Sequence, residues 1–102
     1  MTIELVASPR VISTARNRTD RFFRGKTLSY HKRNDVISFY DVPLVLSFSK
    51  NVLTILVEPT DSLLQVVLFY IKEVFHSKKP IGIRVSKQDL VPLFDGLNLI
   101  EI

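Results

Sequence analysis

The sequence predicts a small α+β domain in which two helices cover one face of a mainly antiparallel sheet. Three observations predict this class. Two segments carry apolar residues at helical spacing, short β-type runs surround them, and the order of elements repeats after about fifty residues. A chain of 102 residues is most often one domain, and 46% hydrophobic residues are enough for one core. We therefore expect a single domain over residues 1–102.

The first elements are a strand at Ile3–Ala7 and a helix at Pro9–Arg24. Ser8 is a typical N-cap, and proline is favoured in the first turn that follows it. Gly25 is a natural helix stop. The polar residues 26–35 are expected to form a loop.

Three further strands are expected in the middle of the chain, at Val36–Tyr40, Leu44–Ser49 and Val52–Glu58. Only Lys50-Asn51 separates the last two, which indicates a tight hairpin. Because a hairpin places its strands side by side, we expect Val52–Glu58 to be central in the sheet.

The second helix begins near Thr60, Asp61 or Ser62 and ends before Lys78-Lys79-Pro80. Its apolar residues form a stripe that is widened on both sides, so we expect this helix to be nearly surrounded by protein. A strand at Ile81–Val85 follows. A short helical turn over 87–94, limited by a proline, and a final strand over 97–102 complete the chain.

An internal repeat is suggested by two alignments. Ile3–Pro9 aligns with Leu53–Pro59 at a distance of fifty residues, and Val42–Leu44 aligns with Val91–Leu93 at forty-nine. The favoured architecture is therefore two similar strand–helix–strand–strand halves, residues 1–50 and 51–102, related by a pseudo-two-fold axis. The alternative is a ferredoxin-like βαββαβ sandwich with an extra C-terminal strand.

The segment RNRTDRFFRGKT, residues 16–27, holds the densest positive charge. Residues 1–50 carry nine Lys or Arg against four Asp or Glu, whereas residues 51–102 carry five against six. Clustered basic residues suit phosphate contact, so nucleic-acid binding is one hypothesis for this segment. The candidate contacts are Arg16, Arg18, Arg21, Arg24, Lys26, Lys32 and Arg33.

Two other interpretations of this segment stay open. It is the solvated face of a helix, or its Gly25-Lys26-Thr27 ending belongs to a phosphate-binding loop. The loop pattern G-x-x-x-x-G-K-[ST] requires glycine where this chain has Asp20, and it requires a strand before it and a helix after it. The sequence therefore argues against a phosphate-binding loop. Phe22 and Phe23 would stack on bases if exposed, but they lie on the predicted apolar face.

Catalytic and metal-binding patterns are missing from the sequence. His31 and His76 lie in different halves, and no carboxylate or histidine stands at ligand spacing from either. Neither a nucleophile elbow nor a zinc-protease motif occurs. We expect no enzyme activity, no cofactor, no metal and no small-molecule substrate.

The favoured function is a non-enzymatic module that binds a protein or peptide. Two modes are expected: the groove between the two halves, or strand addition at a sheet edge. The candidate edge, which would also allow a homodimer, is Leu97, Asn98, Leu99, Ile100, Glu101 and Ile102. Nucleic-acid binding through residues 10–33 is the alternative function.

The cellular setting is inferred from composition. The chain has no cysteine, no signal-peptide pattern and no membrane-length apolar run, so we expect it to be intracellular and not secreted. A basic, cysteine-free chain of this length, rich in Ile, Leu and Val, resembles the small orphan proteins of filamentous viruses that infect hyperthermophilic archaea. That resemblance implies a thermophilic host, a cytoplasmic or virion setting, and viral or host macromolecules as partners.

Overall fold

The chain forms one seven-stranded sheet, two α-helices and a 3₁₀ helix, as described by a computed structural model of residues 1–102. The strands are β1 (Thr2–Val6), β2 (Tyr30–Arg33), β3 (Val36–Phe39), β4 (Leu44–Phe48), β5 (Val52–Val57), β6 (Ile81–Val85) and β7 (Leu99–Glu101). The helices are α1 (Pro9–Phe23), α2 (Asp61–Val74) and the 3₁₀ helix Gln88–Phe94. The predicted α+β class is confirmed.

The strand order is β2-β3-β4-β5-β1-β6-β7, and all neighbours are antiparallel except β6 and β7. Strands β4, β5, β1 and β6 with the two α-helices have the βαββαβ connectivity of a ferredoxin-like sandwich. The β2–β3 hairpin and β7 widen this unit at its two edges. The Lys50-Asn51 hairpin and the central place of β5 are confirmed, because β5 pairs with both β4 and β1.

Both helices begin where short polar side chains cap them. The Val11 N–H donates to Ser8 Oγ in α1, at 3.3 Å, and the Leu63 N–H donates to Thr60 Oγ1 in α2, at 3.4 Å. The first helix ends before Gly25, whose φ of +81° is the left-handed conformation that glycine adopts freely. The second helix ends at Val74, earlier than the sequence predicted.

The core lies between the helices and one face of the sheet. Alternate residues of each central strand are buried there, among them Ile3, Leu46, Ile55 and Ile83. Thr19 is buried although its side chain is short and polar. It lies in α1 and shares a hydrogen bond of 2.8 Å with the hydroxyl of Tyr70 in α2.

The predicted loop over residues 26–35 is wrong for Tyr30–Arg33, which form β2. Three of its four residues are exposed, so the sequence shows no alternation of buried and polar positions. The strand forms because it pairs with β3 across a tight turn, in which Asn34 has a φ of +54°. Its lysine and arginine are typical of an edge strand that is protected from aggregation.

The second sheet face, opposite the helices, is covered by no other element, and we call it the open face. It carries the alternate residues of each strand, which are partly or largely exposed. Its apolar side chains are Val6, Val36, Tyr40, Val45, Val52, Leu56, Ile100 and Ile102. Its charged side chains are Glu4, Arg33 and Arg84.

The two halves differ in their elements. Three strands follow α1, whereas a strand, a 3₁₀ helix and a short strand follow α2. The predicted order of strand, helix, strand and strand in each half would make β3 and β6 equivalent, but β3 lies between β2 and β4, while β6 lies beside the central β1. In this topology β4 occupies the place in the first half that β6 occupies in the second. The predicted symmetry of residues 1–50 and 51–102 is therefore not confirmed.

Candidate functional site

Two of the predicted phosphate contacts are held in ion pairs with the chain's own carboxylates. Arg16 of α1 pairs with Asp35 in the β2–β3 turn. Lys32 of β2 pairs with Asp20 of α1 at 2.7 Å. Because the side chains of both pairs are more than a third exposed, each pair contributes little to stability, on the order of 0.2–1 kcal/mol. Together they tie the β2–β3 hairpin to α1.

The remaining basic candidates point in different directions. The half-buried Arg18 donates from Nη1 to the carbonyl oxygen of Val74, at 3.4 Å, at the end of α2 where a cation is favoured. Arg21 and Arg24 are exposed near the end of α1 and form no ion pair. Arg33 lies on the open face, on the other side of the sheet. The predicted seven-residue patch is therefore split between two surfaces.

The Gly25-Lys26-Thr27 ending lacks the surroundings of a phosphate-binding loop. Helix α1 precedes it and strand β2 follows it, which is the reverse of the required order. The structure agrees with the sequence on this point. These residues have a different setting, at one end of the seam between α1 and α2.

The seam between the helices is filled along most of its length. Thr19 and Tyr70 close its centre, and the Phe22 ring packs edge-on against Tyr70 with 5.4 Å between centroids. Phe23 points into the core and is 2% exposed. The interpretation of Phe23 as a core residue is therefore confirmed, and it offers no surface for base stacking.

At the Lys26 end the seam opens into a shallow cavity of about 400 Å³, which we call the aromatic groove. Its lining comes from both halves of the chain: Phe22, Phe23, Lys26, Thr27, Leu28, Gln65, Val66 and Phe69. Phe69 is 50% exposed, and its ring centroid lies 5.7 Å from that of Phe22. A large aromatic side chain is thus left half uncovered beside a second one.

Lys26 lies over the aromatic groove. Its Nζ is 4.9 Å from the Phe22 ring centroid and 5.5 Å from that of Phe69, within the range of a cation–π contact. The glycine at position 25 turns the chain so that the lysine reaches back over the rings. The groove therefore combines an apolar floor with a cationic rim.

The exposure of Phe69 corrects the expectation that α2 is nearly surrounded by protein. The buried residues Leu64, Val67 and Ile71 lie on one side of α2, and Phe69 lies on the opposite side with Gln65. No layer covers the outer surface of the helices. The sequence did contain a signal, because an aromatic residue opposite the buried stripe of a helix is unexpected for core packing alone.

The predicted edge segment is only partly a strand. Leu99–Glu101 form β7, which runs parallel to β6, and the Asn98 amide group donates to the carbonyl oxygen of Ser77 at 3.1 Å. Leu97 packs on the core, whereas Ile100 and Ile102 are 54% and 55% exposed on the open face. Three residues make a short template for strand addition.

The histidines and carboxylates do not form a cluster. No three His, Asp or Glu side chains lie close enough together to hold a metal ion. His76 contacts the carbonyl oxygen of Glu73, and His31 lies near Tyr40 on the open face. Burial raises the pKa of the Tyr70 hydroxyl well above its ordinary value.

Comparison with protein-family models, curated proteins and solved structures gives no match for this chain. Neither α-helix has the length and apolar character that crossing a membrane requires.

Proposed function

We propose that this protein is a non-enzymatic interaction module that binds a peptide segment of a partner protein in the aromatic groove. The observation that carries the proposal is the half-exposed Phe69, which stands beside Phe22 with Lys26 over both rings. Exposed aromatic side chains grouped with a cation are typical anchors at protein interfaces.

The size of the groove limits what it holds. About 400 Å³ lies at the lower end of the range for ligand sites and suits one or two side chains. A leucine, phenylalanine or tyrosine side chain of the partner would cover the exposed part of Phe69 and displace water from it. The expected partner therefore presents a large apolar anchor on an extended or helical segment.

The charge around the groove favours an acidic partner. Lys26 is the one charged residue in the lining of the groove, and it forms no ion pair. An Asp or Glu next to the apolar anchor would meet this positive rim. Complementary charge raises the association rate and the specificity more than the affinity.

Strand addition is a weaker mode for the same function. β7 offers three residues, and β2 carries lysine and arginine along its edge. Both features are common ways of protecting an edge. We therefore propose the groove, and not the sheet edges, as the site of peptide binding.

Nucleic-acid binding is the second candidate, because exposed Phe69 with Lys26, Arg21 and Arg24 also resembles a stacking platform with cationic neighbours. The two functions differ in their dependence on salt. Contacts with phosphates lose affinity steeply as the salt concentration rises, whereas burial of an apolar anchor does not.

The test is selection from a random peptide library displayed on phage, followed by anisotropy titration of the enriched peptides. We expect peptides with an aromatic or large aliphatic residue beside Asp or Glu. Phe69→Ala should weaken their binding about 10- to 100-fold, and Lys26→Ala by less. Leu93→Ala is the matched control, because Leu93 is 42% exposed and lies outside the groove.

Two results would contradict the proposal. One is that enriched peptides bind the Phe69→Ala protein as well as they bind the unmodified protein. The other is that no peptide is enriched, while single-stranded oligonucleotides bind and lose most of their affinity between ~50 and ~200 mM salt. The second result, if Arg21→Ala and Arg24→Ala also weakened binding, would favour the nucleic-acid function.

The proposed internal duplication is supported by the register of the two central strands. Glu4 of β1 lies directly opposite Thr54 of β5, and these are the two residues that the fifty-residue alignment equates. A pseudo-two-fold axis between them would exchange β1 with β5 and α1 with α2. The groove then lies between equivalent helices.

The intracellular setting proposed from the composition fits a module that binds other proteins.

A further inference from the structure

The open face carries most of the large hydrophobic side chains that the fold leaves exposed. Five of the seven large hydrophobic residues that are exposed lie on it: Val36, Tyr40, Leu56, Ile100 and Ile102. They are separated by short polar side chains such as Ser38, Ser47 and Thr54. A sheet with one face on the core normally carries polar residues on the other face. This face is only partly polar.

We infer that a second copy of this chain covers the open face, so that the protein is a homodimer of two sheets packed face to face. This inference is independent of the aromatic groove, which lies on the opposite side of the molecule. Two copies stacked in this way would leave both grooves on the outside of the dimer.

The dimensions of the face fit a dimer. Seven strands about 4.8 Å apart make a face roughly 30 Å wide, in agreement with the molecule's longer extents of 31 and 30 Å. The strands are three to six residues long, or about 10–20 Å, so the face covers on the order of 500 Å². A dimer over it would bury about 1,000 Å² in total, at the lower end for specific interfaces. A short peptide would cover only part of this surface.

The position of Leu56 indicates how the copies are related. β5 is the fourth of the seven strands, and Leu56 on it is 47% exposed at the centre of the face. A two-fold axis that lies between the two sheets and runs parallel to β5 places β2 of one copy against β7 of the other, β3 against β6 and β4 against β1. All seven strands are then covered, and Leu56 packs against Leu56 of the second copy. This is the self-complementary contact of an isologous interface.

The charges on the face are compatible with this arrangement. In the register of the ladder, Glu4 faces Ser47 of the second copy, and Arg84 faces its Val36. Glu4 and Arg84 keep each other as partners, with 4.0 Å between Oε1 and Nε. Arg33, the third charged residue of the face, falls opposite Ile102 of the second copy, so no two like charges lie directly opposite each other.

The test is sedimentation equilibrium of the full chain at concentrations up to ~500 μM, in the range where micromolar dimers are populated. The unmodified protein should have twice the monomer mass. Leu56→Glu should raise the dimer dissociation constant at least about 30-fold, because each dimer loses two leucine contacts. Leu93→Glu should leave it unchanged, since Leu93 is similarly exposed but lies on the 3₁₀ helix. Circular dichroism confirms that each variant is folded, and Leu56→Thr replaces Leu56→Glu if that variant is not.

A cross-linking experiment tests the position of the axis. The chain has no cysteine, so Leu56→Cys and Leu93→Cys each introduce a single thiol. A short bismaleimide should join two Leu56→Cys chains efficiently, because sheets packed face to face are about 10 Å apart, and it should join Leu93→Cys chains poorly. A monomer at all concentrations would overturn the inference. Equal dissociation constants for Leu56→Glu and Leu93→Glu, or equal cross-linking of the two cysteine variants, would overturn it as well.

Discussion

The buried hydroxyl pair of Thr19 and Tyr70 allows a sharp test of how the two helices are joined. Tyr70 is 1% exposed and Thr19 is fully buried, with 2.8 Å between their hydroxyl oxygens. Thr19 donates to the carbonyl oxygen of Ala15 at 2.7 Å, so the Tyr70 hydroxyl donates to Thr19. Because of this order of donors and acceptors, we expect the two single substitutions to lower the free energy of unfolding by different amounts.

Thr19→Val removes the acceptor and leaves the Tyr70 hydroxyl buried without a partner. The expected loss is about 1–3 kcal/mol of the free energy of unfolding, the cost of an unsatisfied buried donor. Tyr70→Phe removes the donor but leaves Thr19 bonded to Ala15, so the expected loss is smaller, about 0.5–1.5 kcal/mol. In the double variant no buried donor is left without an acceptor. Its loss of free energy of unfolding should therefore be clearly less than the sum of the two single losses.

The assay is urea unfolding followed by circular dichroism, with thermal unfolding as a second measurement. For a domain of this size, 1 kcal/mol corresponds to roughly 4–8 °C in Tm. Thr19→Ser, which keeps the hydroxyl, should recover most of what Thr19→Val loses. If the two single losses simply add in the double variant, the two hydroxyls are energetically independent. That result would refute the assignment of the Tyr70 hydroxyl as the donor to Thr19.

Three more predictions concern stability. Because burial raises the pKa of Tyr70, the unfolded chain releases the hydroxyl proton first as the pH rises above ~10, and the free energy of unfolding should then fall by about 1.4 kcal/mol per pH unit until the folded pKa is reached. Measured by urea unfolding above pH ~10, the free energy of unfolding of Tyr70→Phe should fall less steeply with pH. Equal slopes for the two proteins would contradict the assignment. Lys32→Ala removes the exposed pair with Asp20 and should cost at most about 1 kcal/mol at low salt, with no measurable cost at ~1 M NaCl. Gly25→Ala should lower the free energy of unfolding by about 1 kcal/mol, measured by thermal unfolding, because alanine rarely adopts the φ of +81°, even though the space around Gly25 is open. An unchanged Tm would show that the turn relaxes to another conformation.

The elements that sequence analysis located well are those set by local interactions. Ser8 and Pro9 start α1, Gly25 follows its end, and Lys50-Asn51 closes a hairpin between two apolar strands. Each signal depends on residues a few positions apart. Caps, stops and tight turns act over such distances, so the sequence shows them directly.

The features that sequence analysis missed depend on residues that are far apart in the chain. β2 has the sequence YHKR, which has no strand pattern, and it forms only because β3 pairs with it. The pairing of Arg16 with Asp35 likewise joins residues that no local pattern connects. The sequence left two architectures open and did not give the strand order, because that order depends on pairing between strands that are far apart in the chain.

The residues of the aromatic groove were not singled out together by the sequence. They come from both halves of the chain, and Phe69 was expected on the protected surface of α2. Lys26 was considered only as a phosphate contact. Its position over two aromatic rings requires the turn at Gly25 together with the approach of α1 to α2, and the second of these is a property of the tertiary structure.

The place of β1 in the sheet has a consequence for synthesis on the ribosome. β1 is made first, yet its neighbours are β5 and β6, residues 52–57 and 81–85. Its apolar residues Ile3 and Leu5 therefore have no strand partner until more than half of the chain has emerged. We expect the β3-β4-β5 meander, which needs only short loops, to form first. β1 then pairs with β5 at the edge of this meander.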